Sequence, residues 1–213
     1  MSFIFPKIYP ILDSKFIPTN GRKEFSRRLG ESLTGAGVTL LEYRNKNGSD
    51  SEIIADAAIL RSTMPAQKVK LIINDRVDLV DSIVFDGVHV DAGDSTPAEA
   101  RTLLGPARII GTFGGSESLL PGVLSEPADY LSIGPVGATT TKQTTKPSIG
   151  VGGVRRLRNQ AGSKAVLVAV GGVTLATAAQ ILTAGANTVA VAAAIFDSPD
   201  PANEFRRWME SLS

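Results

Sequence analysis

A run of small polar residues ends in a lysine directly after a predicted strand. The strand is Tyr130-Leu131-Ser132-Ile133, and the run is Gly134-Pro135-Val136-Gly137-Ala138-Thr139-Thr140-Thr141-Lys142. Glycine, short hydroxyl side chains and one mobile ammonium group suit the binding of a phosphate or pyrophosphate. The same composition is typical of a flexible loop, so this run alone leaves both interpretations open.

Two other predicted strands also end in residues that favour anion binding. Arg44-Asn45-Lys46 follows the strand predicted at 38–43, and Gly171-Gly172-Val173-Thr174 follows the strand predicted at 165–170. The two glycines let backbone amides approach an anion, and Thr174 begins a predicted helix whose N-terminal dipole favours negative charge. A tight turn would also use two glycines, but the combination favours a phosphate site.

Two aspartates follow neighbouring predicted strands and could hold a metal ion. Asp75 follows residues 69–73, and Asp94 follows residues 87–90. Because the chain has no cysteine and only one histidine, His89, the expected ion is a hard cation that prefers oxygen, first of all magnesium (Mg2+). Each aspartate could instead cap a neighbouring helix, and the two roles are not exclusive. His89 lies within a predicted strand and is expected to be a core residue.

The elements that position these residues alternate between strands and helices. Eight short apolar segments are predicted strands: 8–12, 38–43, 69–73, 87–90, 107–111, 130–133, 165–170 and 188–192. Amphipathic helices are predicted at 22–34, 51–61, from Pro97, at 174–183 and at 204–212. This order predicts one (β/α)8 TIM barrel domain over residues 1–213, with function at the C-terminal ends of the strands; a doubly wound open sheet is the alternative.

Two connections between the predicted strands have distinct expected structures. The third and fourth strands are joined by only a short stretch, residues 75–83, which predicts a helix of about two turns. Residues 138–154 are rich in glycine, threonine and serine and are expected to form a mobile loop.

Bulk properties exclude several classes of protein. The net charge is +1, so nothing favours nucleic acid or an anionic membrane as a partner. No apolar run is long enough to cross a bilayer, and the N-terminus does not have the pattern of a signal peptide. A cytoplasmic protein that binds small molecules is expected, and a homodimer is compatible with the sequence.

The chain resembles the thiamine-phosphate synthase family and its relatives the thiazole tautomerases, and it is closer to the synthases. The resemblance extends from Tyr9 to Phe196 and combines five segments in the expected order. They are residues 41–46, 72–79, 86–90 together with Asp94, 128–142 and 168–173.

The resemblance implies a transferase that joins hydroxymethylpyrimidine diphosphate to thiazole phosphate and releases pyrophosphate. It implies that Arg44, Lys46 and Asn74 hold the pyrimidine diphosphate, and that Asp75 and Asp94 bind magnesium. It also implies that Thr139 and Thr141 contact the thiazole phosphate, that Lys142 contacts the departing pyrophosphate, and that Gly172 with the backbone of Ala192 and Ala193 completes the thiazole-phosphate site. Arg44, Lys46 and Lys142 would be the catalytic cations.

Several substrate-binding positions depart from the family pattern. Glu42 replaces a glutamine, and a carboxylate beside a diphosphate repels it unless it is protonated, paired with Arg44 or turned away. Phe113 replaces a serine, and Thr112 or Ser116 would have to supply that hydroxyl. Residues 137–138 replace an aromatic-proline pair, and Ala193 replaces a serine.

These departures leave other functions open. One is a regulatory protein that binds thiamine-pathway phosphates without turnover, and another is a different phosphate-handling isomerase or lyase. A thiazole tautomerase would be expected to carry a histidine after the fifth strand, where this chain has Gly114 and Gly115.

Overall fold

Parallel strands alternate with helices along the chain and form a closed barrel. The computed structural model describes residues 3–91, 93, 95–115, 117–139, 141 and 147–213. The strands are β1 (Ile8–Asp13), β2 (Leu40–Arg44), β3 (Lys70–Asn74), β4 (Gly87–Val90), β5 (Ile109–Gly115), β6 (Tyr130–Ile133), β7 (Leu167–Val170) and β8 (Thr188–Val191).

The first and last strands pair with each other and close the sheet. Tyr9 of β1 is in register with Ala190 of β8, while Leu12 on the same strand is in register with Tyr43 of β2. The strand order runs from β1 to β8 without interruption. The prediction of a (β/α)8 barrel is therefore confirmed, and the alternative of an open sheet is wrong.

The helices pack around the barrel, and some of them begin at side chains that cap them. They are α1 (Arg22–Gly35), α2 (Asp50–Thr63), α3 (Pro97–Leu104), α4 (Leu120–Val123), α5 (Gly150–Ala161), α6 (Leu175–Thr183), α7 (Ala193–Phe196) and α8 (Pro201–Ser211). Ser49 accepts a hydrogen bond from the backbone of Glu52 at the start of α2, and Thr96 does the same for Glu99 in α3. No described helix is both long and apolar enough to cross a membrane.

Two connections differ from their predictions. The link between β3 and β4 contains only a single 3-10 turn, Val77–Leu79, instead of the expected two-turn helix. Helix α5 begins at Gly150, inside the stretch predicted to be a loop. Glycine disfavours a helix, but Val154 and Leu157 of α5 are fully buried, so packing outweighs the poor local propensity.

Side chains of the strands alternate between two apolar cores. Outward residues such as Leu41 and Leu71 join the helices in the outer core. Inward residues such as Leu40 and Ile72 fill the lower part of the barrel together with Phe3 and Phe5 from the N-terminal segment. Nearer the C-terminal ends of the strands, the inward positions change to polar residues, and this change creates room for a site.

Three arginines fasten pairs of strands at the opposite rim of the barrel, and we call these contacts the arginine clamps. In each clamp an arginine from a helix contacts an acid or amide side chain that precedes an even-numbered strand. That same side chain accepts a hydrogen bond from a backbone N–H of the preceding strand. The clamps are Arg61 with Asp86 and the Leu71 amide, Arg101 with Asp129 and the Ile110 amide, and Arg158 with Asn187 and the Leu167 amide.

Candidate functional site

A cavity of about 350 Å³ opens at the C-terminal ends of the strands. This is the end where the functional side chains of such barrels collect. Every described residue of the predicted substrate-binding set except Lys46 lines this cavity. They are Glu42, Arg44, Asn74, Phe113, Thr139, Thr141, Gly172, Ala192 and Ala193.

Strand β2 supplies two of these residues because its side chains alternate. Leu40, Glu42 and Arg44 all face inward. Leu40 lies in the apolar core, Glu42 places a buried carboxyl group above it, and Arg44 places a cation near the cavity mouth. The Arg44 guanidinium forms an ion pair with Asp13, which ends β1 and lies in register with it. Asp13 is only 6% exposed, so it holds Arg44 from inside the protein.

Asp75 lies at the end of β3 in an unusual backbone conformation. Its φ angle is +64°, in the left-handed region that few residues other than glycine adopt. Its carboxylate contacts the Lys46 ammonium and accepts a hydrogen bond of 3.2 Å from the Asn74 side chain. The structure therefore brings Lys46, Asn74 and Asp75 together beside the cavity.

Residues other than the two aspartates occupy the cap positions of the 3-10 turn after β3 and of helix α3. Arg76, not Asp75, occupies the cap position of the 3-10 turn, and it makes no capping hydrogen bond with its side chain. At the start of α3 the cap is Thr96, which forms a reciprocal pair with Glu99. The described contacts of the Asp75 carboxylate, with Lys46 and Asn74, are directed at the site.

Two predicted site residues, Asp94 and Lys142, lie outside the described residues. The positions of both remain predictions. Within the part of the chain that is described, no group of three or more acidic or histidine side chains is arranged to hold a metal ion.

The loops after β6 and β7 form the other end of the cavity and pack closely on each other. The amide of Gly137 donates to the carbonyl oxygen of Gly171 at 2.8 Å. Gly171 and Gly172 have φ angles of +82° and +66°, which glycine adopts at little cost. Thr139 and Gly172 face the same space, and helix α6 begins three residues later with Thr174 at its cap. This end offers hydroxyl groups, backbone amides and a helix dipole to an anion.

Glu42 is buried at the floor of the cavity, where it is 3% exposed. The Tyr9 hydroxyl donates a hydrogen bond of 3.3 Å to its Oε2 atom. Burial raises the pKa of Glu42 to about 8, and the nearby Asp91 carboxylate contributes to the rise while Arg44 opposes it. The group is therefore mostly a neutral acid near pH 7.

Sequence reasoning missed several residues of the cavity floor. His89 and Ser132 line it, with 3.4 Å between His89 Nε2 and Ser132 Oγ, and the Tyr130 hydroxyl lies 3.1 Å from His89 Nδ1. His89 is thus a cavity residue as well as a buried one. The period-two alternation of the strands could have identified these residues, since they share the inward face with positions that were predicted.

Phe113 also lines the cavity, and its side chain brings no hydroxyl group to it. The Thr112 hydroxyl cannot replace it, because it donates to the carbonyl oxygen of Val90 in the neighbouring strand. Ser116 lies outside the described residues. Ser132 of β6, which is in register with Phe113, has a hydroxyl group on the cavity side.

Comparisons with known proteins converge on one family. The model of the thiamine monophosphate synthase family matches residues 8–195. The thiamine-phosphate synthase of Koribacter versatilis is 35% identical over 207 residues, which cover 97% of this chain and 97% of that protein. The corresponding enzyme of Chloroflexus aurantiacus is 34% identical over 91% of this chain and 87% of its own length.

A solved structure resembles the whole barrel. Thiamine phosphate pyrophosphorylase from Pyrococcus furiosus superposes with a TM-score of 0.81 at 25% sequence identity. The superposition covers 97% of this chain and 95% of that chain. The similarity therefore extends over nearly the whole fold.

Proposed function

We propose that this chain, which belongs to the thiamine monophosphate synthase family, joins hydroxymethylpyrimidine diphosphate to thiazole phosphate and releases pyrophosphate. Family membership makes it a transferase, and the resemblance noted in the sequence is confirmed. The observation that carries the proposal is one cavity with two ends that suit anions, with Arg44 near one end and Thr139 and Gly172 at the other.

The reaction needs little acid or base chemistry from the protein. The bond between the pyrimidine methylene carbon and the diphosphate oxygen breaks, and its electron pair leaves with pyrophosphate. The lone pair of the thiazole nitrogen then forms the new carbon–nitrogen bond, so no proton has to move. The protein's task is to stabilise the departing charge, to align the thiazole and to exclude water.

Arg44 and Lys46 are the described cations suited to stabilise the departing pyrophosphate. Arg44 presents several N–H donors in a fixed plane and is held by Asp13, so it can bind an anion without reorganising. Lys46 contacts Asp75 and carries a mobile point charge. Lys142 would add a third cation by the family pattern.

The residues beside Lys46 fit a magnesium ion. Asp75 offers carboxylate oxygens, and the buried Asn74 Oδ1 atom has no hydrogen-bond partner in the described part of the chain. Hard oxygen donors of this kind are the ligands that magnesium prefers, and Asp94 would complete the pair. Such an ion, when bound, supplies positive charge to the diphosphate.

The aspartate at the end of β3 provides the direct test of this proposal. Replacing Asp75 with asparagine removes a charge and a cation ligand while it keeps the size of the side chain. We expect pyrophosphate release from the two substrates, with magnesium present, to fall by about a hundredfold. Asp81→Asn is the matched control, because Asp81 is an exposed residue that pairs with Arg108 away from the cavity.

Three results would contradict the proposal. The first is equal loss of turnover in the Asp75 and Asp81 variants. The second is tight binding of thiamine phosphate by the unaltered protein with no pyrophosphate release, which would indicate a regulatory protein. The third is isomerisation of a thiazole carboxylate without magnesium, which would indicate a tautomerase.

A further inference from the structure

Glu42 is a buried carboxyl group that faces the substrate cavity. One of its oxygens, Oε2, accepts a hydrogen bond from Tyr9, and the residue belongs to the cavity wall. A buried ionised carboxylate without a paired cation is costly, and Arg44, the cation two residues away, is already paired with Asp13. The geometry therefore favours the neutral acid.

The surroundings of Glu42 also favour its neutral form. Charged or titratable groups face it from five strands or strand ends. They are Tyr9 on β1, Arg44 on its own strand, Asp75 after β3, His89 and Asp91 on and after β4, and Tyr130 on β6. Asp91 disfavours a further negative charge beside Glu42, whereas Arg44 and the Tyr9 hydrogen bond favour the charged form.

A neutral carboxyl group can donate one hydrogen bond and accept another, whereas a carboxylate can only accept. An aminopyrimidine ring presents the complementary pair, a ring nitrogen that accepts and an adjacent amino group that donates. A glutamine side chain offers the same donor and acceptor. The glutamate in place of the family's glutamine therefore keeps this chemistry as long as it holds its proton.

We propose that Glu42 recognises the amino and ring-nitrogen edge of the pyrimidine substrate as a neutral acid, so that ring binding requires one proton at this carboxyl group. This inference rests on the proposed function. It makes ring binding depend on pH in a way that a glutamine at the same position would not.

The pH profile of kcat/KM for the pyrimidine diphosphate tests this inference. With magnesium and thiazole phosphate held constant, we expect kcat/KM of the unaltered enzyme to fall about tenfold per pH unit above pH about 8. In Glu42→Gln this fall should be absent, whatever the absolute rate of the variant. His89→Asn is the matched comparison, because imidazole is the other kind of cavity group that changes charge near neutral pH.

An unchanged pH profile in Glu42→Gln would overturn the inference. So would a profile that persists in Glu42→Gln and disappears in His89→Asn, because the required proton would then belong to the imidazole. Turnover by the unaltered enzyme in either case would leave the proposed function intact.

Binding of the ring alone gives a readout that does not depend on turnover. The probe is 4-amino-5-hydroxymethyl-2-methylpyrimidine, and the measurement is its effect on the thermal unfolding midpoint at pH 7 and pH 9. We expect the ring to stabilise the unaltered protein at pH 7 only, and to stabilise Glu42→Gln equally at both. Stabilisation of the unaltered protein at both pH values would overturn the inference. If the ring stabilises the two proteins as expected but the unaltered protein releases no pyrophosphate from the two substrates, the result would count against the proposed function and not against this inference.

The variant's own stability checks that Glu42 titrates in the folded protein. The pKa of Glu42 in the folded protein lies above its ordinary value, so the folded state holds this proton more tightly than the unfolded state does. The contribution of Glu42 to the free energy of unfolding is therefore highest at low pH and decreases as the pH rises toward about 8. The unfolding midpoint of Glu42→Gln minus that of the unaltered protein should therefore grow between pH 5 and pH 8. A constant difference would show that Glu42 is not the titrating acid and would overturn the inference.

Discussion

Replacing Gly172 with alanine should destabilise the protein by about 3 kcal/mol and remove most of its affinity for thiazole phosphate. The φ angle of Gly172 is +66°, which is strained for any residue with a Cβ atom. An added Cβ would lie 2.3 Å from the carbonyl carbon of Gly137 and 2.4 Å from the carbonyl oxygen of Ala138. The loops after β6 and β7 would have to separate, and their contact forms the end of the cavity that we propose binds the thiazole phosphate.

Chemical denaturation and the KM for thiazole phosphate measure the two effects. Gly35→Ala is the matched control, because Gly35 ends helix α1, has a helical conformation and has open space where a Cβ atom would lie. We expect that variant to keep its KM and to be at least as stable as the unaltered protein. A Gly172→Ala protein with unaltered stability and unaltered KM would refute this account of the loop contact.

Replacing Arg44 with alanine should lower kcat/KM for the pyrimidine diphosphate by about a thousandfold. Among the described residues, Arg44 is the cation that lines the cavity, and its loss would remove the stabilisation that we propose it gives to the departing pyrophosphate. The change also leaves the buried Asp13 carboxylate without its partner, which should cost about 2 kcal/mol of stability. Steady-state kinetics and thermal unfolding measure the two losses separately.

The double variant Arg44→Ala with Asp13→Asn separates catalysis from folding. It removes the unpaired buried charge, so stability should recover in large part while turnover stays low. Recovery of turnover together with stability would mean that Arg44 serves the fold and not the reaction. Arg108→Ala provides a further control, since Arg108 pairs with Asp81 outside the cavity.

The barrel was predictable from sequence because its signals are repeated along the whole chain. Each strand is a short apolar run, and most connections have the periodicity or the caps of a helix. The start of α5 could not be predicted from local propensity, because three glycines in its first four residues disfavour a helix that the packing of Val154 and Leu157 stabilises. The 3-10 turn after β3 replaces a helix because the connection is short.

The residues of the candidate site were predictable at the C-terminal ends of the strands and less predictable on the cavity floor. Residues such as Arg44 and Gly172 follow apolar runs directly, so their positions at the cavity follow from the fold alone. Asp13 was missed, although it is an acidic residue directly after the apolar run of the first strand. The raised pKa of Glu42 could not be inferred from its neighbours in sequence, because the main cause is burial by residues of other strands.

The arginine clamps all lie at the rim opposite the cavity, and this placement separates two demands on the chain. Each clamp fixes a pair of consecutive strands through atoms of residues that do not line the cavity. Side chains at the mouth, such as those at positions 42 and 113, can therefore change while the contacts that hold the strands together stay in place. In such a scaffold, the strand pairs are held at one rim, so residues at the opposite rim can change and acquire new chemistry without altering the contacts that hold the barrel together.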